Sequence, residues 1–75
     1  MTKVPSLNYE KIVHAFERDG WRKVAQRGSH IKLRKTSDSK TRTVMIPAHK
    51  PVKRSTLSII LKQADVSLDR FLKLL

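Results

Sequence analysis

The apolar residues of this 75-residue chain change their spacing twice, and that double change limits the available folds more than any other feature. Tyr9, Ile12, Val13 and Phe16 fall at i, i+3, i+4 and i+7, which lines one face of a helix. Asn8 offers an N-cap oxygen before it, and Gly20 can take the left-handed conformation that closes it. From Trp21 the pattern turns to alternation. Trp21 to Arg27, His30 to Lys35 and Thr41 to Ile46 read as three strands, the last rich in Thr, Val and Ile. Gly28-Ser29 predicts a tight turn between the first two, and Thr36 to Lys40 a longer, more mobile connection. Pro47 stops the third strand, and Pro51 keeps the next stretch extended. Helical spacing then returns, with Ser55 as cap and Leu57, Ile60, Leu61 and Ala64 as the inner face. A last short helix begins at Ser67, with Leu68, Phe71, Leu72 and Leu75 as its stripe.

The order is helix, three-stranded antiparallel meander, helix, short helix. So few helices can cover only one sheet face, so the expected fold is an α+β sandwich of two layers. The length suits one domain, residues 1–75, with an ordered core over about residues 8–74. A chain this short buries only about 60–65% of its unfolded surface. It has no cysteine for a disulfide, so a small apolar core must hold it together. The stretch Met1 to Ser6 has no apolar leader region, and no apolar run approaches the length of a membrane span. A cytoplasmic location is therefore expected.

Charge is distributed very unevenly over this frame. Residues 21 to 54 carry Arg22, Lys23, Arg27, Lys32, Arg34, Lys35, Lys40, Arg42, Lys50, Lys53 and Arg54 against Asp38 alone, which is +10 of the chain's +11. Residues 1 to 20 sum to zero and residues 55 to 75 to +1. Charge needed only for solubility has no reason to collect in one segment, so this block describes a polyanion-binding surface. His30 stands within it. If Ile31 and Leu33 point to the helices, the period of two turns His30, Lys32 and Arg34 to the open face.

A titratable ring on such a face has a chemical reading and a plain one. Imidazole can take a proton from a ribose 2′-hydroxyl, and imidazolium can give one to a leaving 5′-oxygen. Neighbouring cations can hold the scissile phosphate and stabilise charge developing on it. RNA suits this better than DNA, because its 2′-hydroxyl is a built-in nucleophile. The six acidic residues are scattered, so no carboxylate cluster is expected to hold a metal, and the reading calls for no cofactor. In the plain reading His30 is a solvated surface side chain. His14 lies off the apolar stripe of the first helix and reads as surface. His49, between two prolines, reads as a local hydrogen-bond donor, a helix-entry contact or a second catalytic group. Trp21 is suited to stacking on a base or, following a helix-closing Gly, to the core.

Asp19-Gly20-Trp21, Arg27-Gly28-Ser29-His30, Ile46-Pro47-Ala48-His49 and the run from Thr56 to Ser67 (Thr-Leu-Ser-Ile-Ile-Leu-Lys-Gln-Ala-Asp-Val-Ser) resemble, in order, the HicA toxin family of small mRNA interferases. The resemblance spans about residues 8 to 74. It implies a fold similar to a double-stranded RNA-binding domain, and metal-independent RNA cleavage that depends on the histidine matched by His30. It also implies an antitoxin, HicB, that covers the active face until it is degraded. Two positions depart from the family pattern: Ser55 and Asp65 stand where Gly is common. The resulting expectation is a ribonuclease toxin with His30 catalytic and His49 a secondary candidate. Lys23, Arg27, Ser29, Lys32, Arg34 and Lys53 are the RNA-binding candidates. Two other readings use the same face: a non-catalytic RNA-binding module, and an interaction protein that docks an acidic partner.

Overall fold

The computed structural model describes residues 4–75. Met1, Thr2 and Lys3, half of the stretch that shows no leader pattern, lie outside the described residues. The element order is α1 (Tyr9–Arg18), β1 (Arg22–Arg27), β2 (His30–Ser37), β3 (Lys40–Pro47), α2 (Arg54–Ala64) and α3 (Leu68–Leu74). The strands form one antiparallel sheet in the order β1-β2-β3. The expected α+β arrangement is therefore present. α1 and α2 both pack on β3, and α3 packs on α1. One core results. Ile12, Ala15 and Phe16 of α1 meet Ile31 and Leu33 of β2, Val44 and Ile46 of β3, and Leu57, Ile60, Leu61 and Ala64 of α2. Trp21 and Phe71 complete it around Phe16, at ring-centroid distances of 5.4 and 5.9 Å. Of the two readings of Trp21, the core one holds, since it is 3% exposed.

Several details differ from expectation, each for a local reason. The connection between β2 and β3 is a tight turn, not a mobile loop. β2 pairs with β3 without interruption from His30↔Pro47 to Ser37↔Lys40, which leaves only Asp38 and Ser39 between them. Both have positive φ, 52° and 66°, as a twist-matched two-residue hairpin requires, and Asp is one of the residues that tolerates it. Ser55 does not cap α2. The N-cap position falls on Lys53, whose side chain makes no capping bond, and the turn closes through Leu57 N–H to the Lys53 carbonyl at 3.0 Å. The chain enters α2 through Val52, which is fully buried and donates its N–H to the Leu7 carbonyl at 2.7 Å. That anchor fixes the helix start two residues before the expected one. Asn8 does hold the N-cap position of α1, but without a side-chain capping bond. Ser67 caps α3 as expected, its Oγ accepting from Arg70 N–H at 3.1 Å. In α3, Leu74 packs on the core, whereas Leu75 lies past the helix end and is exposed. Among the described residues, no helix is long and apolar enough to cross a membrane.

Candidate functional site

β1 is the unusual strand, since all six of its residues are exposed. It is an edge strand that no helix covers, held to β2 by its backbone ladder. Parity explains how it joins the core at one end and the open face at the other. Trp21 and Arg27 are six residues apart, so an unbroken strand would turn both to the same face. Yet Trp21 is in the core, while Arg27 pairs with His30. A bulge between Lys23 and Ala25 reconciles the two, because Val24 has no partner on β2. The extra residue reverses the alternation once. Arg22 then pairs with Arg34 and Lys23 with Leu33.

Directly opposed residues share a face, so the register gives the open face row by row. One row is Arg27, His30 and Pro47. The next is Ala25, Lys32 and Met45, and beyond it lie Arg22, Arg34 and Thr43. Ile31 and Leu33 are buried, so His30, Lys32 and Arg34 stand on the uncovered side as period-two geometry requires. Lys23 does not join them. It shares the register position of core-facing Leu33, and its Nζ donates to Gln26 Oε1 at 2.7 Å. Arg22 takes its place on the open face. The signal for it in the sequence is its position next to Trp21, since a core Trp21 turns the following residue to the opposite face.

The His30 end of the sheet is tied together by backbone bonds. Ala48 N–H donates to the Ser29 carbonyl at 2.6 Å, and His49 N–H to the Pro47 carbonyl at 2.8 Å. The His49 carbonyl in turn accepts from Tyr9 N–H at 3.1 Å, so its backbone makes the helix-entry contact. Its side chain remains exposed at the same end as His30. Gly28 has φ +54°, and a Cβ there would meet nothing within 4 Å, so conformation alone favours glycine in that turn. Lys53 opens α2 from the loop that leaves this end, and its helix has no acidic residue in the first turn. Among the described residues, no side-chain hydrogen bond involves the His30 ring.

The two sides of the sheet treat their cations differently. None of the three strands contains an Asp or Glu. On the helix side, Lys35 and Arg42 are directly opposed, and each has a carboxylate from elsewhere: Asp19 to Lys35 at 3.2 Å, Asp65 to Arg42 at 3.7 Å. On the open side, Arg22 opposes Arg34, yet among the described residues neither is in an ion pair, nor are Arg27 and Lys32. Like charges directly across a sheet are unfavourable. An anion from outside the chain would relieve that repulsion.

Asp19 is the one buried acid among the described residues. Its Oδ1 accepts from Arg70 Nε at 3.0 Å and its Oδ2 from Lys35 Nζ at 3.2 Å, joining α3 to the sheet at the far end of β2. Burial pushes its carboxyl up, but these hydrogen bonds and the two cationic charges outweigh burial and hold it below the ordinary value. Beside it runs an open cleft of about 420 Å³ lined by Lys35, Lys40, Arg42 and Arg70 together with Asp19, Asp38 and Asp65. Its charges largely cancel. Among the described residues, no three His, Asp or Glu side chains gather as metal ligands would.

A small α+β domain with one uncovered sheet face, cationic, unpaired and bearing a histidine, is the class that fold and site define. Residues 9–66 match the family model described as the HicA toxin of bacterial toxin–antitoxin systems. The match covers well over half of the chain, which therefore belongs to the HicA toxin family and has an antitoxin as its counterpart. Among curated proteins and among solved structures, none matches the chain.

Proposed function

We propose that this toxin is a metal-independent endoribonuclease of the cytoplasm, an mRNA interferase, with His30 as its catalytic residue and a HicB-type antitoxin as its inhibitor. The observation that supports it most directly is the open face, where His30 stands beside Arg27 and in line with Lys32 and Arg34, with no acid on any strand. RNA phosphates would supply the missing counter-charge. The 2′-oxygen of one ribose attacks the adjacent phosphorus, the bond to the 5′-oxygen breaks, and a 2′,3′-cyclic phosphate and a free 5′-hydroxyl result. His30 either takes the 2′-hydroxyl proton or gives one to the departing 5′-oxygen. Arg27, Lys32 and Arg34, joined by Arg22, bind the phosphates and stabilise the charge that builds on the phosphorane. Ser29, in the turn before His30, and Lys53, at the uncapped start of α2, flank that end. Lys23 serves from the other side of the edge strand. His49 is the candidate for the second proton transfer, since its side chain is exposed at the same end.

General acid–base help from one group contributes about 10²–10⁴-fold. Replacing His30 with Ala should therefore lower single-turnover cleavage of a defined RNA by about that factor. RNA affinity, set by the cations, should change little. The wild-type products should end in 2′,3′-cyclic phosphate. Undiminished cleavage by the folded His30→Ala protein, or 3′-hydroxyl ends, would exclude the mechanism. A non-catalytic RNA-binding module is favoured by one observation: among the described residues, no side-chain partner orients the His30 ring. Tight binding with no shortening of the RNA would establish it.

A further inference from the structure

The open face is not uniformly cationic. The described chain exposes a few large apolar side chains; one, Met45 at 43%, lies on this face beside Lys32, and another, Val24 at 45%, is the bulge residue between core-side Lys23 and open-side Ala25. Met45 is directly opposite Lys32 on β3. Val24 is the unpaired residue of the bulge and precedes Ala25, which faces Lys32 from β1. Counted on from core-facing Lys23, Val24 alternates to the open side, whereas an unbroken strand counted back from Arg27 would set it opposite Leu33 on the core side. The bulge frees it from that position, and bulges beside functional sites commonly redirect a side chain in this way. An apolar row therefore crosses the sheet one step from His30, bounded by Arg27 on one side and by Arg22 and Arg34 on the other.

RNA has little use for this row. Single-stranded bases dock by stacking on aromatic rings or guanidinium planes. Trp21, Phe16 and Phe71 are all buried, and Tyr9 sits at the start of α1. Protein interfaces, by contrast, have an apolar centre enriched in Met, inside a polar rim that excludes water. The rim here is made of unpaired cations, which selects an acidic partner.

We propose that Val24, Ala25 and Met45, with the aliphatic stem of Lys32, seat an apolar side chain of the antitoxin, whose carboxylates meet Arg22, Arg27 and Arg34 around it. This rests on the reading that the open face is the RNA-cleaving surface, and it adds a division of labour within that face. The cations serve RNA and antitoxin alike, whereas the apolar row serves the antitoxin alone. Variants of the row should then separate inhibition from activity.

The test uses full-length toxin with its antitoxin. Met45→Gln and Val24→Thr keep the charge and suit an exposed strand, and Ile59→Gln, at an exposed apolar position on α2, is the control. Antitoxin affinity is read by calorimetry, which does not depend on catalysis, and inhibition by titrating RNA cleavage. Each row variant should weaken antitoxin binding about tenfold or more, and Met45→Leu should restore it. RNA cleavage without antitoxin should match the wild type, as should the affinity of Ile59→Gln for antitoxin. Unchanged affinity of the row variants, or equal loss from Ile59→Gln, overturns the proposal. So does loss of cleavage by row variants that still bind antitoxin normally, which would assign the row to RNA. Wild-type toxin that never cleaves RNA would instead refute the ribonuclease reading, and calorimetry would still decide the apolar row.

Discussion

Arg22 and Arg34 show at the level of single residues how the site and the stability of the fold oppose each other. They are directly opposed on the sheet, and among the described residues neither is in an ion pair. Such a pair costs about 0.2–1 kcal/mol relative to a neutral one. Arg34→Gln should therefore raise the unfolding free energy by up to that amount in a denaturant titration. The same change should weaken RNA binding and make the salt slope shallower by about 0.7, the value for one phosphate of a single strand. A variant that binds RNA with an unaltered slope would place Arg34 outside the interface. Asp19 is the opposite case, an acid kept for structure. Its pKa is lower in the folded state than in the unfolded one. Its stabilisation is therefore complete above the unfolded value, near pH 4, and is lost as pH falls through the folded value. Asp19→Asn should cost about 1–3 kcal/mol at pH 7 through its hydrogen bonds to Arg70 and Lys35. Melting curves of the two proteins should converge as the pH drops below about 4. A difference that stays constant into acid would show that the carboxylate charge is not what joins α3 to the sheet.

At the level of elements, the bulge explains both what the sequence reveals and what it hides. The inner face of α2 is legible, though its start is not: Leu57, Ile60, Leu61 and Ala64 recur at helical spacing, and all are buried. The facing of β2 is legible too, because two aliphatic residues alternate with three polar ones, and one arrangement buries far less polarity. β1 is not, since none of its six residues is buried and burial leaves no pattern to read. The turn at Asp38-Ser39 is hidden because five polar residues look like a loop, although the backbone ladder runs through three of them. In sequence Asp65 is only a departure from Gly. The structure gives the reason Gly is common there: the residue closes α2 at φ +57°. Pairing yields a prediction that burial does not. Deleting Val24 should restore one-to-one pairing while keeping Trp21 in the core and Arg27 beside His30, so the protein should fold with a similar Tm. Deleting Met45 from unbulged β3 should turn Val44 or Ile46 out of the core and abolish the cooperative thermal transition. Equal damage from both deletions would refute the role assigned to the bulge.

For the whole molecule, the division of charge and the thin core bear on the same question. A 75-residue chain without cysteine, with one strand unpacked and cations opposed on its open face, has little stability in reserve. Its bare face, where Arg22, Arg27, Lys32 and Arg34 are in no ion pair among the described residues, would also bind cellular polyanions indiscriminately. On the proposed reading, an acidic antitoxin seated there would change both conditions at once. It would supply the carboxylates that the strands lack, and it would bind the folded state alone. At one hundred times its dissociation constant, a ligand of that kind adds about 2.7 kcal/mol. For a domain of this size that corresponds to a rise in Tm of roughly 10–20 °C. The rise should shrink as salt increases, because the rim contact is between charges. The further rise that antitoxin adds should be smaller when single-stranded RNA is already present in excess, because on this reading both ligands need Arg22, Arg27 and Arg34. Thermal scans of the toxin with antitoxin, with RNA, and with both together distinguish the arrangements. Competing ligands give a Tm only marginally above the better of the two alone, by at most about 0.4 kcal/mol of added stability, whereas independent sites give shifts that add. Additive shifts would mean that the antitoxin binds away from His30 and inhibits by some route other than covering it.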